Sequence, residues 1–214
     1  MLFKIIAKLK SLFLYPFQFK HFGKRSRIDK PLRIEGKKYI EIEDRVLVQP
    51  YTWLACQPLT GCKRPTLKIG KGCTIGHLNH IYATEGIVFE DYVLTADKVY
   101  ISDNLHSYEN PDVPIMQQAV VQAFTPPTTS SRCALQDASR KCSNKMRIGE
   151  GSWLGENVCV IGASVGKHCT IGANAVVTKD IPDYSVAVGI PAKVIKQYNF
   201  KTQRWERINN INDG

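Results

Sequence analysis

Residues 148–182 read IGEGSW LGENVC VIGAS VGKHCT IGANAV VTKDIP. Broken this way, each group opens on an aliphatic residue: Ile148, Leu154, Val160, Val165, Ile171 and Val177. Gly149, Gly155, Gly166 and Gly172 each follow one of them, and the group at Val160 is one residue short. Four places after the aliphatic stands a side chain of modest size, as at Ser152, Val158, Cys169 and Ala175. The same rhythm runs through IGKGCT IGHLNH at 69–80 and FEDYVL TADKVY ISDNLH at 89–106. A weaker version spans 28–55, with Ile34, Ile40, Val46 and Leu54 near the expected phase.

A period of six belongs neither to a helix nor to a single strand. It suits a triangular coil whose flat faces are short parallel strands, stacked at about 4.7–4.9 Å per coil. The opening aliphatic must then point into the prism, and the residue four places on must fit a corner. The glycine in second place would let the corner backbone turn. Such a coil has open ends that need covering, and the N-terminal segment and residues 194–214 are placed to do so. Residues 119–145 lack the rhythm and carry a Pro-, Thr- and Ser-rich run at 125–131. They read as a loop thrown out of the coil. The division expected is 1–27 as an N-terminal segment, 28–193 as the coil domain with its loop, and 194–214 as a cap.

Composition excludes several classes. The chain has 214 residues, 43% hydrophobic and 22% charged, which is ordinary for a folded domain and wrong for a disordered or collagen-like chain. No run approaches the roughly 18–20 apolar residues of a spanning helix. The formal net charge is +10, from 29 Lys and Arg against 19 Asp and Glu. Seven of those basic residues lie in 1–27, where no acid occurs, and no basic stripe marks the repeats. That distribution argues against nucleic acid as a partner. Residues 2, 5, 6, 9, 12 and 13 of the N-terminal segment are apolar and fall on one helical face, with Lys4, Lys8 and Lys10 off it. Pro16 should end or kink this helix. A basic amphipathic helix of this kind reads either as a peripheral membrane contact through residues 1–23 or as a helix packed on a neighbouring subunit. The seven cysteines, an odd number without C-x2-C spacing, suit inert buried thiols in a reducing compartment better than a disulfide framework or a zinc site.

The run IGEGSWLGENVCVIGASVGKHCTIGANAVVTKDIPDYSVAVGIPAKVIK at 148–196 resembles the hexapeptide-repeat acyltransferases, and in particular the branch that O-acetylates sugars and surface polysaccharides. ISDNLHSYENPDVPIMQQ at 101–118 is similar to the segment that carries that branch's catalytic histidine. The resemblance implies a mainly β, left-handed parallel β-helix, acetyl-CoA as acyl donor, a sugar or glycan acceptor, no metal, a homotrimer with clefts between neighbouring prisms, and a cytoplasmic location, with peripheral contact at the inner face of the membrane if residues 1–23 bind it. It makes His106 the general base. It places Trp153 and Ala173 along the pantetheine channel, where Gly155 is compatible with close backbone approach, and Lys179, Lys193 and Lys196 at the CoA phosphates. Glu156 departs from the pattern, since a small residue is common there in the relatives.

The chemistry fits these residue types. An alcohol attacking a thioester must lose its proton, and a neutral imidazole near pH 7 is suited to take it, with a contribution of about 10²–10⁴-fold in rate. Asn79 and Tyr108 are candidates for the acceptor pocket. Tyr51, Trp53 and Tyr82 are aromatics that could stack on a sugar or simply pack. Three other readings stand beside this one. They are N-acetylation of a small amine or nucleotide-sugar, a zinc site of the γ-carbonic-anhydrase kind built on His77, His80 and His106, and a β-helical scaffold without activity.

Overall fold

A computed structural model describes residues 2–123 and 145–208, with side chains from residue 5 onward. Two short helices, α1 (Leu2–Phe13) and α2 (Tyr15–Gln18), precede the coil, and Pro16 lies in the first turn of α2, where its missing N–H costs nothing. The first coil is β1 (His21–Phe22), β2 (Arg27–Ile28) and β3 (Arg33–Glu35). The second is β4 (Ile40–Ile42), β5 (Leu47–Val48) and β6 (Trp53–Cys56). The third is β7 (Thr66–Ile69), β8 (Thr74–Ile75) and β9 (His80–Ala83), and the fourth β10 (Gly86–Phe89), β11 (Leu94–Thr95) and β12 (Tyr100–Ser102). The chain then leaves the coil in an antiparallel pair, β13 (Asn104–His106) and β14 (Val120–Gln122). It re-enters with β15 (Met146–Ile148), β16 (Trp153–Leu154) and β17 (Cys159–Ile161). A bridge at Val165, β18 (Thr170–Ile171) and β19 (Val176–Val177) form the sixth coil; a bridge at Ile181 and β20 (Ser185–Val188) begin the last. Antiparallel strands β21 (Lys193–Asn199) and β22 (Arg204–Arg207) finish the described chain.

Successive strands fall in three sheets by rotation. The first face is β1-β4-β7-β10-β15, the second β2-β5-β8-β11-β16-β18-β20, extended by β21 and β22, and the third β3-β6-β9-β12-β17-β19. Within the coil every pairing is parallel. The apolar residues that open the hexads fill the interior: Ile42, Val48, Leu54, Ile69, Ile75, Ile81, Phe89, Ile101, Ile148, Leu154, Val160, Ile171 and Val177 are all fully buried. The residues four places on are buried as well, among them Cys73, Val93, Val99, Ser152, Cys169 and Ala175.

The glycines in second place work differently from the expectation. A Cβ on Gly149 would lie 2.4 Å from the carbonyl carbon of Gly166, and one on Gly76 2.2 Å from the oxygen of Ala96, so the next coil's backbone forbids it. The left-handed turn falls two places later, and non-glycine side chains mostly occupy it: Arg25, Arg45, Tyr92, His168 and Tyr184 between the first and second faces, and Tyr51, Leu78, Lys98, Asn157 and Asn174 between the second and third. Each such residue costs about 1 kcal/mol or more in isolation. Stacking offsets that cost, because the N–H of one turn meets a carbonyl of the turn before, as from Tyr92 N to Lys71 O at 2.9 Å and from Asn157 N to Asp97 O at 3.1 Å. These two corners keep one turn length throughout. Only the third corner, between the third and first faces, varies, and both excursions from the coil leave there, at 57–65 and after Ser102.

The helices cover the N-terminal end. Tyr15, Phe19 and Phe22 form an aromatic triad with ring centroids 5.3–5.4 Å apart over the first coil. Burial pushes the Tyr15 hydroxyl pKa up. Helix α1 contacts the coil through Ala7 and Ser11, both buried, and its apolar face points away from it. Most of the loop expected at 119–145, and the end of the cap expected at 194–214, lie outside the described residues.

Candidate active site

Asp103 stands where the chain quits the third face. Its carboxylate is fully buried. Oδ1 accepts from Thr84 N at 2.8 Å and Thr84 Oγ1 at 2.9 Å; Oδ2 accepts from Glu85 N at 2.9 Å and Gly86 N at 2.8 Å. Charge-assisted bonds of this kind are among the stronger ones available. They tie the exit of the insertion to the turn of the preceding coil at the same corner. The Asp103 carbonyl accepts from Ala123 N at 3.0 Å, and the buried Gln122 amide donates to the Glu85 carboxylate, so both strands of the ribbon are rooted in one place.

Three residues beyond Asp103, His106 is exposed on β13 opposite Val120. Ser107 N donates to Ala119 O at 2.9 Å and closes the ribbon past it. The tip is braced by Gln118, whose Nε2 donates to the carbonyls of Asn110 at 2.9 Å and Val113 at 2.8 Å. Tyr108 projects outward with 69% of its surface exposed. His106 and Tyr108 therefore sit on one short ribbon with a fixed base.

The residues expected at the donor side fall mostly along the second face. Trp153, exposed on β16, is in register with Thr170, then Val186, then Lys196. Gly155 and Ala173 stack at the adjoining corner, where a Cβ on Gly155 would come within 2.7 Å of Ala173 N. Lys193 opens β21 opposite Val188 on the same sheet. Glu156, the departure from the pattern, pairs with Lys98 at 3.0 Å rather than facing a channel unopposed. Lys179 lies apart, exposed at the third corner, on the edge from which the His106 ribbon emerges. Within one chain the third face separates the two groups.

That face carries residues whose arrangement the sequence did not disclose. Arg33, Trp53, His80 and Tyr100 are register partners on successive coils. The Trp53 and His80 rings stack with centroids 4.1 Å apart and 8° between planes, with Tyr82 alongside and Tyr100 edge-on to His80. Trp53 Nε1 donates to Glu35 Oε2 at 3.0 Å, and the Arg33 guanidinium lies over the indole. Burial holds the His80 imidazole below its ordinary pKa, with the Glu35 charge pulling weakly the other way. Asn79 is 1% exposed in a corner turn, its amide donating to His77 O at 3.1 Å and Ala96 O at 2.8 Å. It supports the turn from inside the prism wall. Tyr51 is a left-handed corner residue hydrogen-bonded to Lys30.

Among the described residues, no three His, Cys, Asp or Glu side chains gather where they could hold a metal ion, and His77, His80 and His106 form no such group. His77 pairs with Asp97 at 3.3 Å. Cys56 and Cys73 are buried thiols pushed up to about 12 by desolvation, as inert as expected. Cys62 departs from that reading, because it is disulfide-bonded.

Comparison with known proteins agrees with this architecture. Residues 145–179 match the family model described as the hexapeptide repeat of succinyl-transferase. A protein of Escherichia coli (strain K12) that bears the name of a lipopolysaccharide biosynthesis O-acetyl transferase, WbbJ, is 36% identical over 130 residues, 60% of this chain and 59% of that protein. Rv3034c of Mycobacterium tuberculosis, named as an acetyltransferase, is 34% identical over 132 residues, 61% of this chain and 37% of its own. The chain thus spans just over half of one of these curated relatives and about a third of the other. Among solved structures, a variant of AntD, an N-acyltransferase from Bacillus cereus in complex with dTDP-4-amino-4,6-dideoxyglucose and coenzyme A, superposes with a TM-score of 0.66 at 17% identity, covering 88% of this chain and 89% of that one. The acetyltransferase domain of PglB from Neisseria gonorrhoeae, in complex with acetyl coenzyme A, gives 0.51 at 17% identity over 81% of this chain and 58% of that one. At such identities the likeness is one of fold. Together these findings bear out the resemblance of the chain to the hexapeptide-repeat acyltransferases.

Proposed function

We propose that the chain is an acetyl-CoA-dependent O-acetyltransferase acting on a hydroxyl of a sugar or glycan intermediate. The observation that carries this reading is His106, exposed on a ribbon whose base Asp103 fixes, in a chain with sequence similarity to WbbJ over 60% of its length. That similarity favours a hydroxyl over an amine, since the likeness to AntD is one of fold alone.

In the proposed reaction the acceptor hydroxyl attacks the thioester carbonyl while His106 takes its proton; the C–S bond breaks, and the imidazolium returns a proton to the departing thiolate. No covalent intermediate on the protein is required. The pantetheine arm runs past Trp153 and the Gly155–Ala173 corner, where small residues leave room for an extended chain, toward Lys193 and Lys196 at the phosphates. Lys179 and Tyr108 belong to the edge that carries His106.

Separation of the two groups by the third face supports a trimer of left-handed prisms in which each cleft takes His106 from one copy and the donor channel from the next. The aromatic ladder of the third face would then line or adjoin that cleft. Use of acetyl-CoA puts the reaction on the cytoplasmic side.

The test is a screen of sugars and amino sugars with acetyl-CoA and thiol detection, run alongside His106→Ala. The variant should lose about 10²-fold or more in kcat and keep its calorimetric affinity for CoA. Full retention of transfer by His106→Ala would remove the base from this assignment, and acetylation confined to amino groups would remove the hydroxyl.

A further inference from the structure

Helix α1 is turned the wrong way round for a helix that serves only its own fold. Ala7 and Ser11, with Tyr15 beyond them, are 5%, 8% and 4% exposed and meet the coil. Ile5, Leu9, Leu12 and Phe13 are 49%, 50%, 57% and 70% exposed, and Phe17 of α2 is 88% exposed. At about 100° per residue, Ile5, Ile6, Leu9, Leu12 and Phe13 centre diametrically opposite the Ala7–Ser11 stripe. Lys8 and Lys10 fall on the two flanks, each about 100° from the centre of the apolar face. A self-contained domain buries such a face and keeps small residues for its outside; this helix does the reverse.

Its electrostatic surroundings narrow the choice of what covers that face. No acid occurs before Asp29. Lys8, Lys10, Lys24 and Arg25 are exposed at this end of the prism, while Lys20 is engaged by Glu41 at 2.6 Å. A second copy docking helix to helix would bring two such basic ends together with no acid on either helix to pair them. An anionic lipid surface meets both requirements. Apolar side chains enter the acyl boundary, and flanking lysines reach headgroups along their own methylene stems.

We propose that the outward face of α1, with Phe17, docks the N-terminal end of the coil onto an anionic lipid bilayer, the helix lying in the plane of the interface. This binding is independent of acetyl transfer. Co-sedimentation of the full chain with vesicles of phosphatidylcholine, with and without phosphatidylglycerol, tests it. The unaltered chain should bind the anionic vesicles and bind the neutral ones about tenfold or more weakly. Leu9→Ser with Phe13→Ser, both on exposed positions, should abolish binding without moving the thermal midpoint, and Lys8→Glu with Lys10→Glu should weaken it about tenfold or more. Equal binding by these variants and the unaltered chain overturns the proposal. So does absence of binding in a chain whose oligomeric state falls when Leu9 and Phe13 are replaced, which would make a second copy the cover.

Discussion

His80 is held between the indole of Trp53 and the phenol of Tyr100, and its half-buried ring is disfavoured as a cation. The sign of the consequence follows from that. Its folded pKa lies below the ordinary 6.5, so the unfolded chain binds the proton more readily. Stability is therefore full above about pH 6.5 and falls as the pH drops through that value toward the folded pKa. Urea midpoints between pH 7.5 and 5 should show this slope, and His80→Phe should flatten it while keeping the stack. A slope unchanged in the variant would place the acid sensitivity elsewhere. The sequence singled out His80 as a possible metal ligand and Trp53 as a possible sugar platform, because side-chain type was all it offered. Their stacking depends on which residues share a face on consecutive coils, a matter of register across stretches some twenty residues apart.

At the scale of the element, the β13–β14 ribbon is rigid at its base because one carboxylate takes four donors from residues 84–86. Asp103→Asn keeps the volume but turns an acceptor into an NH₂ group facing N–H donors. The loss of that bonding should cost about 1–3 kcal/mol in unfolding free energy. If the ribbon positions the base, kcat should fall while the affinity for CoA stays unchanged; a drop in CoA affinity of similar size would mean the coil itself had been disturbed. The position of His106 at the mouth of the insertion was legible in the sequence because it falls at the break in the period; its role as base is a proposal. The anchoring by Asp103 was not legible, since its partners are three backbone N–H groups and the Thr84 hydroxyl, all some twenty residues earlier at the same corner. The hexads themselves were plain, as each places one aliphatic side chain in the interior every six residues, and burial of Ile69, Ile75, Ile81 and their counterparts follows directly. What the pattern did not reveal was why the second residue is glycine, because the obstructing atoms belong to the next coil.

For the whole molecule, His106 and the Trp153–Gly155–Ala173 row occupy different edges of one prism. In the proposed reaction the cleft that needs both is shared between copies. Mixed assemblies of His106→Ala and Gly155→Arg chains, each inactive alone, should regain about a quarter of the activity of the unaltered protein if assembly is random, since each cleft draws one group from each of two copies. No recovery in verified mixed oligomers would mean that the edges act separately.

The two corners with constant turns have no slack, because their left-handed residues hydrogen-bond from coil to coil without interruption. Length can change only at the third corner, and there the chain has already been lengthened twice. The ribbon that bears His106 is in effect a cassette: its root is the Asp103 carboxylate, the Gln122–Glu85 contact and a few backbone bonds, and residues 104–121 can be exchanged while the prism keeps its pitch. Diversification of such a protein toward new acceptors, by descent or by engineering, is thereby channelled to one edge, where the proposed base and the residues around it are inherited together.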